Sequence, residues 1–514
     1  MALPKLSQNI KIQAQTMIDF KGLNLNPVVD DGELIETYNL SSKEYPCLAP
    51  RYRREVIKNF VNPSEVTSFG DKLFYIDDNK FYYNDKVKGT LKPGKKSIAV
   101  MNDHVVIFPD KVSYDSIEDT FLPMEVSVTV TGPSFTDSEV TITGADFIKA
   151  GFKVGDAVEI SGCSTHPYNN RSVIIQTMTA TSFTVGSNVF EPSTTNAETG
   201  IVTFKRAVPD MDFVFECNNR LWGCKDGKMI YSSMQGNHFN FNVFQGLVTD
   251  SYFVEVGTPG KFTGVMTYNN YPYFFKEEAI HKIYGFSPSQ FQVITMNVQG
   301  VKEGCERSLA VTNNLMFYVA RDGVMLFDAT SPQIISEKLR YEQYDEAVAG
   351  GNRKYYYVCL RKGAVWHMYC YDSDIGLWHK QDDTHALCFN LYKGKLIYLN
   401  AEDKNLYEID SEDSKERIHW EGVTGEMNPF FQDKKGIIKL KIRVELEANS
   451  SLSIFISHDN GPFIPVKALH SLTKETKYIP IQPQRCDYFK VKFVGDGECK
   501  IYHIIKEFYQ ASEV

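Results

Sequence analysis

Residues 308–328 read SLAVTNNLMFYVARDGVMLFD. An apolar run, SLAV, meets the polar pair Asn313-Asn314. LMFYVA follows, then Arg321-Asp322-Gly323, then VMLFD. Three short apolar stretches split by two polar turns predict three antiparallel strands. Asp-Gly between hydrophobic runs is a strong hairpin signal, because glycine accepts the positive φ of a primed turn.

The same grammar recurs along the chain. It is visible in residues 67–83 (TSFGDKLFYIDDNKFYY), 97–114 (SIAVMNDHVVIFPDKVSY), 211–233, 262–285, 347–372 and 386–410. With the opening stretch these make seven candidate units. The later ones begin near 211, 262, 308, 347 and 386, a spacing of 39 to 51 residues. A period of about 40–50 residues with several strands per repeat points to a β-propeller. A string of β-sandwiches would show recurring turns without one long period and one internal order. The expected fold is therefore all-β, a propeller of six or seven blades over residues 61–124 and 206–415.

Three segments depart from that grammar. Residues 1–60 show little periodicity, and Pro46 and Pro50 disfavour helix. They read as an extended arm that could close the ring. Residues 125–205 contain the alternating VSVTVTGPS and a glycine-punctuated GFKVGDAVEISG, which predicts a small β-barrel inserted through an exposed hairpin loop of an early blade. Residues 416–514 alternate in a new register, with turns at Asn449-Ser450, Asp459-Asn460-Gly461 and Gly495-Asp496-Gly497. These predict a C-terminal β-sandwich of jelly-roll type. Jelly rolls often bind sugars, but Trp420, the one Trp near this domain, reads as a packing residue.

Composition limits the function classes. The 514 residues are 43% hydrophobic and 23% charged, which fits a folded globular chain. The net charge of −9 speaks against a protein that wraps DNA through phosphate contacts. The ten Cys include no CxxC pair and read as buried reduced thiols, so neither metal nor cofactor is expected. No run approaches the ~20 apolar residues of a membrane span, and the N-terminus lacks a signal pattern. GxSxG, HExxH, P-loop and GxGxxG motifs are missing, and the His residues stand singly. DSDIGLW (372–378) is only a faint echo of a sialidase box. The expectation is a protein that is not an enzyme. The small basic cluster Arg51, Arg53 and Arg54 is a candidate subunit or phosphate contact.

The residues also carry a family resemblance. IDFKGLN (18–24), NLSSKEYPCLAPR (39–51), NNRLWGC (218–224), FFKEEAIHKIYG with SPSQF (274–291), GCERSL (304–309), ARDGVMLFD (320–328), IHWEGVTGE (418–426) and PQRCDYFKVKFVGDGECKIY (483–502) are the matching motifs. On these the chain resembles β-propeller virion proteins of tailed phages and prophages of Firmicutes-type bacteria. In architecture that family is similar to the tail-nozzle, or DNA stabilisation, proteins of short-tailed phages. The resemblance implies a virion structural protein in a tail or neck ring, a hexamer of copies of this chain. Its partners would be neighbouring tail or head–tail adaptor proteins, with DNA only in passage. Two other readings are a tail-tip binder of host cell-wall glycan and, more weakly, a glycan hydrolase. The binder predicts an aromatic-and-acid patch on a blade face or on the sandwich. The hydrolase predicts two facing carboxylates in a blade-top pocket.

Overall fold

The computed structural model describes residues 12–193, 198–427 and 434–510. The chain divides into two compact units, Val61–Leu309 and Met1–Phe60 with Ala310–Val514. The described residues are almost entirely strand and turn, and seven of the sheets are four-stranded antiparallel blades of propeller type.

Four blades lie in the first unit. Blade 1 runs Pro63–Phe69, Lys72–Asp77, Lys80–Tyr83 and Lys86–Thr90. Blade 2 runs Ser97–Met101 to Thr120–Pro123, blade 3 Phe213–Cys217 to Tyr252–Glu255, and blade 4 Gly264–Tyr268 to Gln292–Met296. The first strand of each blade lies beside the first strand of the next. Blades 5, 6 and 7 lie in the second unit. Blades 5 and 6 span Ala310–Thr312 to Gln333–Ile334 and Glu346–Gly351 to Leu377–Asp382. Blade 7 takes three strands from Ala386–Tyr392 to Asn405–Ile409 and its fourth, Arg54–Asn59, from the N-terminal segment.

The turn chemistry is more specific than the Asp-Gly signal suggests. In the opening stretch, Thr312 pairs with Leu315 across Asn313 and Asn314, whose φ values are 52° and 57°. Two successive positive φ values define a type I′ turn, which asparagine tolerates. The same device closes Cys217↔Arg220 through Asn218-Asn219 and Tyr268↔Tyr271 through Asn269-Asn270. At RDG, by contrast, Ala320 pairs with Gly323, so Arg321 and Asp322 form the turn and Gly323 begins the next strand. Gly323 is needed there because its φ is 131° and an added Cβ would meet the Ser336 hydroxyl.

The insertion enters between blades, after blade 2 has completed its four strands, and not through a hairpin loop within a blade. An interblade connection leaves both flanking ladders intact. The inserted chain forms two small four-stranded sheets. One contains Val126–Thr131 and Ile201–Arg206, and the other contains Glu139–Thr141 and Ser182–Thr184. Both close on one apolar core that includes Phe147, Phe183 and Phe204.

The C-terminal domain is one eight-stranded sheet folded over a single core. Its long hairpin, Lys435–His458 with Ile464–Pro480, runs through both layers. The first half of Lys435–His458 pairs with Cys499–Gln510, and the second half with Phe489–Asp496. Strands that bend from one layer into the other make the corners of such packings. The segment read as an arm contributes here too: Ile12–Met17 pairs with Cys499–Gln510, and Leu34–Tyr38 with His419–Thr424. Trp420 is fully buried, donates from Nε1 to the Gly497 carbonyl at 3.1 Å, and packs over Gly495.

Candidate assembly site

The basic cluster does not form an open phosphate site. Arg51 and Arg54 are buried. Arg51 donates to both oxygens of Glu416, at 2.6 and 3.0 Å, and from Nε to Asn39 Oδ1 at 2.6 Å. Arg54 donates to Asp382 Oδ2 at 2.6 Å and to the Tyr398 hydroxyl at 3.2 Å, while its backbone N–H donates to Glu416. Only Arg53 is partly exposed, and it pairs with Glu498 at 3.2 Å and Glu447 at 3.5 Å. The phosphate expectation therefore fails for Arg51 and Arg54, because their donors are committed inside the chain. Burial works against the charges of Glu416 and Asp382, yet the arginines outweigh it and hold both carboxyls below the usual range. The cluster is a strut that ties the N-terminal segment to blades 6 and 7 and to the strand entering the sandwich.

Titratable groups elsewhere are likewise tied into the fold. Ser113 Oγ lies 2.8 Å from His238 Nε2, but both side chains are buried. His238 is pulled down to about 3, first by burial and then by the neighbouring His104 and Arg206 charges. Glu65, Asp156 and Asp410 are the carboxyls that burial pushes up. Glu65 pairs with Arg307 in blade 1, and Asp156 with Arg206 in the insertion at 2.5 Å. Asp410 follows the third strand of blade 7. Among the described residues no group of three or more His, Cys, Asp and Glu is placed to hold a metal ion. No helix among them is long and apolar enough to cross a membrane.

The sheet edges are a different matter. An unpaired edge presents a row of N–H and C=O groups to any strand that can reach it. The Leu34–Tyr38 end is covered: Asn39 N–H donates to the Gln381 carbonyl at 2.5 Å, and Lys380 N–H donates to Thr37 Oγ1 at 2.8 Å. Among the described residues the other ends are not covered. Ile464–Pro480 is 17 residues long and pairs only with Lys435–His458 among the described residues. Most of it is exposed, with Tyr478 at 64% and Ile464 at 50%. Its residues 472–480 share a layer with Ile12–Met17, the terminal strand on the other side among the described residues, and most side chains of Ile12–Met17 also face solvent. Sequence reading missed this pair, since an edge strand and an inner strand alternate alike.

Comparison with protein-family models gives no match, and comparison with curated proteins gives none. Among solved structures, the chain is similar to PorZ, a surface component of the type-IX secretion system of Porphyromonas gingivalis. Identity is 9%, the TM-score 0.35, and the match covers 75% of this chain and 44% of PorZ, less than half of that protein's length. It is similar to Sqt1 of Saccharomyces cerevisiae at 10% identity and TM-score 0.34, covering 70% and 98% of the two chains. It is also similar to the endosialidase of phage phi92 at 10% identity and TM-score 0.29, covering 76% and 75%. Identity and superposition are low throughout, and the class of protein, a β-propeller with added β-domains, rests on the seven four-stranded sheets themselves.

Proposed function

We propose that this chain is a non-enzymatic structural subunit of a phage virion, a tail-nozzle or tail-hub component built as a ring of identical copies. The ring forms part of the DNA conduit and helps retain packaged DNA. Its position in the tail or neck would set it against head–tail adaptor or neighbouring tail proteins. The observation that carries this reading is the pair of edges of one sandwich layer, Ile12–Met17 and residues 472–480 of Ile464–Pro480, that the described residues leave uncovered. Joining the first edge of one copy to the second edge of the next is a heterologous contact, and such contacts close into rings when the rotation allows. The motif resemblance and the net charge of −9, which suits a wall along which DNA must slide, support the same reading.

Cryo-EM of virions tests it. A closed ring around an axial channel beneath the portal, with neighbouring sandwiches in edge contact, is the expected result. Single copies or trimers at the tail tip would sink the conduit reading and move the protein to host recognition.

A further inference from the structure

Blade 3 carries a loop that a hairpin does not need. Its third strand ends at Ser232 and its fourth begins at Tyr252, whereas about two to five residues suffice to turn a hairpin. The intervening chain is fixed in place. Asp250 accepts from the backbone N–H groups of Gly246 at 2.7 Å and Leu247 at 3.1 Å. Asn240 donates to the Gly155 carbonyl at 2.7 Å and accepts from the Ala157 N–H at 3.0 Å, which ties the loop to the insertion. Held this way, the loop presents Phe244 to solvent beside Phe253 of the fourth strand. Each is 56% exposed, and the rings meet edge to face at 5.6 Å. Two phenylalanines left in water forgo the stabilisation that burial would bring, and a long ordered loop is usually functional.

The two rings wall a groove of about 720 Å³, inside the ~300–1,000 Å³ range of small-ligand sites. Val208 and Phe241, which belong to the apolar core shared by blades 2 and 3, form its floor. Asn242 and Tyr231 also line it. Neither the Asn242 carboxamide nor the Tyr231 hydroxyl has a hydrogen-bond partner among the described residues, and neither is sealed from solvent.

The charged lining is closed on itself. Lys111 donates to Glu125 at 3.1 Å, to Asp210 at 2.8 Å and to the Val208 carbonyl at 2.7 Å, and Lys205 pairs with Glu125 at 3.3 Å. Two cations and two carboxylates line the groove and cancel. Burial works against the Glu125 charge, yet the lysines outweigh it, and Lys111 also holds Asp210 below the usual range. With both carboxyls ionised, the groove lacks the proton donor that glycoside hydrolysis needs.

We infer that this groove binds, without cleaving, a neutral oligosaccharide of N-acetylated hexosamine units. An aromatic face covers the C–H face of a sugar ring. The open carboxamide both donates to and accepts from an acetamide, and the acetyl methyl gains an apolar floor. The inference does not rest on assembly and holds for a single chain.

Isothermal titration of the purified full chain tests it. Triacetylchitotriose and cellotriose share β-1,4 linkage and differ by acetamide against hydroxyl at C2. The expected result is that triacetylchitotriose binds and cellotriose binds at least about tenfold more weakly. Raising the salt to ~0.5 M should leave the affinity within about twofold, since a neutral ligand offers no charge to screen. Phe244→Ala should weaken binding about three- to tenfold, the range of one lost aromatic contact. Asn242→Ala should do the same through one lost hydrogen-bonding group. Phe244 is exposed, so its variant is expected to keep the parent melting temperature. Equal binding of cellotriose overturns the acetamide assignment, and binding lost at high salt overturns the neutral one. No binding of either probe, or binding untouched by both substitutions, overturns the site.

Discussion

The C-terminal sheet ends in two ways. At Leu34–Tyr38 the edge is sealed by blade 6, and beside it Arg51 and Arg54 are locked to Glu416 and Asp382. At Ile464–Pro480, 17 residues long, the edge is uncovered among the described residues and carries Lys467, Lys474, Glu475 and Lys477, with Pro465 and Pro480 near its ends. Lysine and proline are the usual devices that stop an edge from pairing indiscriminately. The contrast separates an edge that the described chain covers from one that it does not, and the second is the edge the proposed ring would use. Charges at the sealed end hold the subunit together, and loss of polar groups at the open end should leave the subunit intact.

The sharpest way to break the contrast is Arg54→Ala. It strands the half-buried Asp382 carboxylate, which should cost about 3 kcal/mol, read as a lower denaturation midpoint by calorimetry or urea. Next is Gly495→Ala inside the sandwich. The new Cβ would lie 2.3 Å from the Trp420 ring, and overpacking of that kind costs ~1–3 kcal/mol.

Acid should erode the interior before the edge. His238, His281 and His379 are buried, and burial pulls them down to about 3, 4 and 4. Each folded value lies below the unfolded one of ~6.5. Their stabilisation is therefore whole above about pH 6.5 and is lost as pH falls toward 4 and 3. Asp382 and Glu416 are also held down, so their share is present above the ordinary carboxylate range and is lost at still lower pH. Urea midpoints measured from pH 7 to pH 4 should fall throughout, and replacing His281 by Gln should flatten the upper part of that fall. The smallest effect on stability belongs to the open edge. Tyr478→Glu, at 64% exposure, should change stability by no more than ~0.5 kcal/mol, while introducing a charge that a pairing neighbour would have to bury.

These regions differ in how readable they were. The blades were legible because their signal is local: paired polar residues between apolar runs, as at Asn313-Asn314, carry the turn within four residues. At 322–323 the Asp-Gly signal reads one residue out of register, because glycine there serves the start of the strand. The N-terminal segment was legible only as extended. Its strands Ile12–Met17, Leu34–Tyr38 and Arg54–Asn59 take their partners near residues 505, 423 and 407, and no local pattern encodes a pairing across more than 350 residues. The arginine cluster misled for the same reason, since Glu416 and Asp382 lie over 300 residues downstream.

The measurement that meets the central claim most directly is native mass spectrometry of the purified chain beside Tyr478→Glu at matched concentration. The account predicts one closed ring mass for the parent protein and subunits of unchanged fold, but released from the ring, for the variant. A parent chain that remains a monomer at all concentrations, or a variant ring as stable as the parent's, would contradict it.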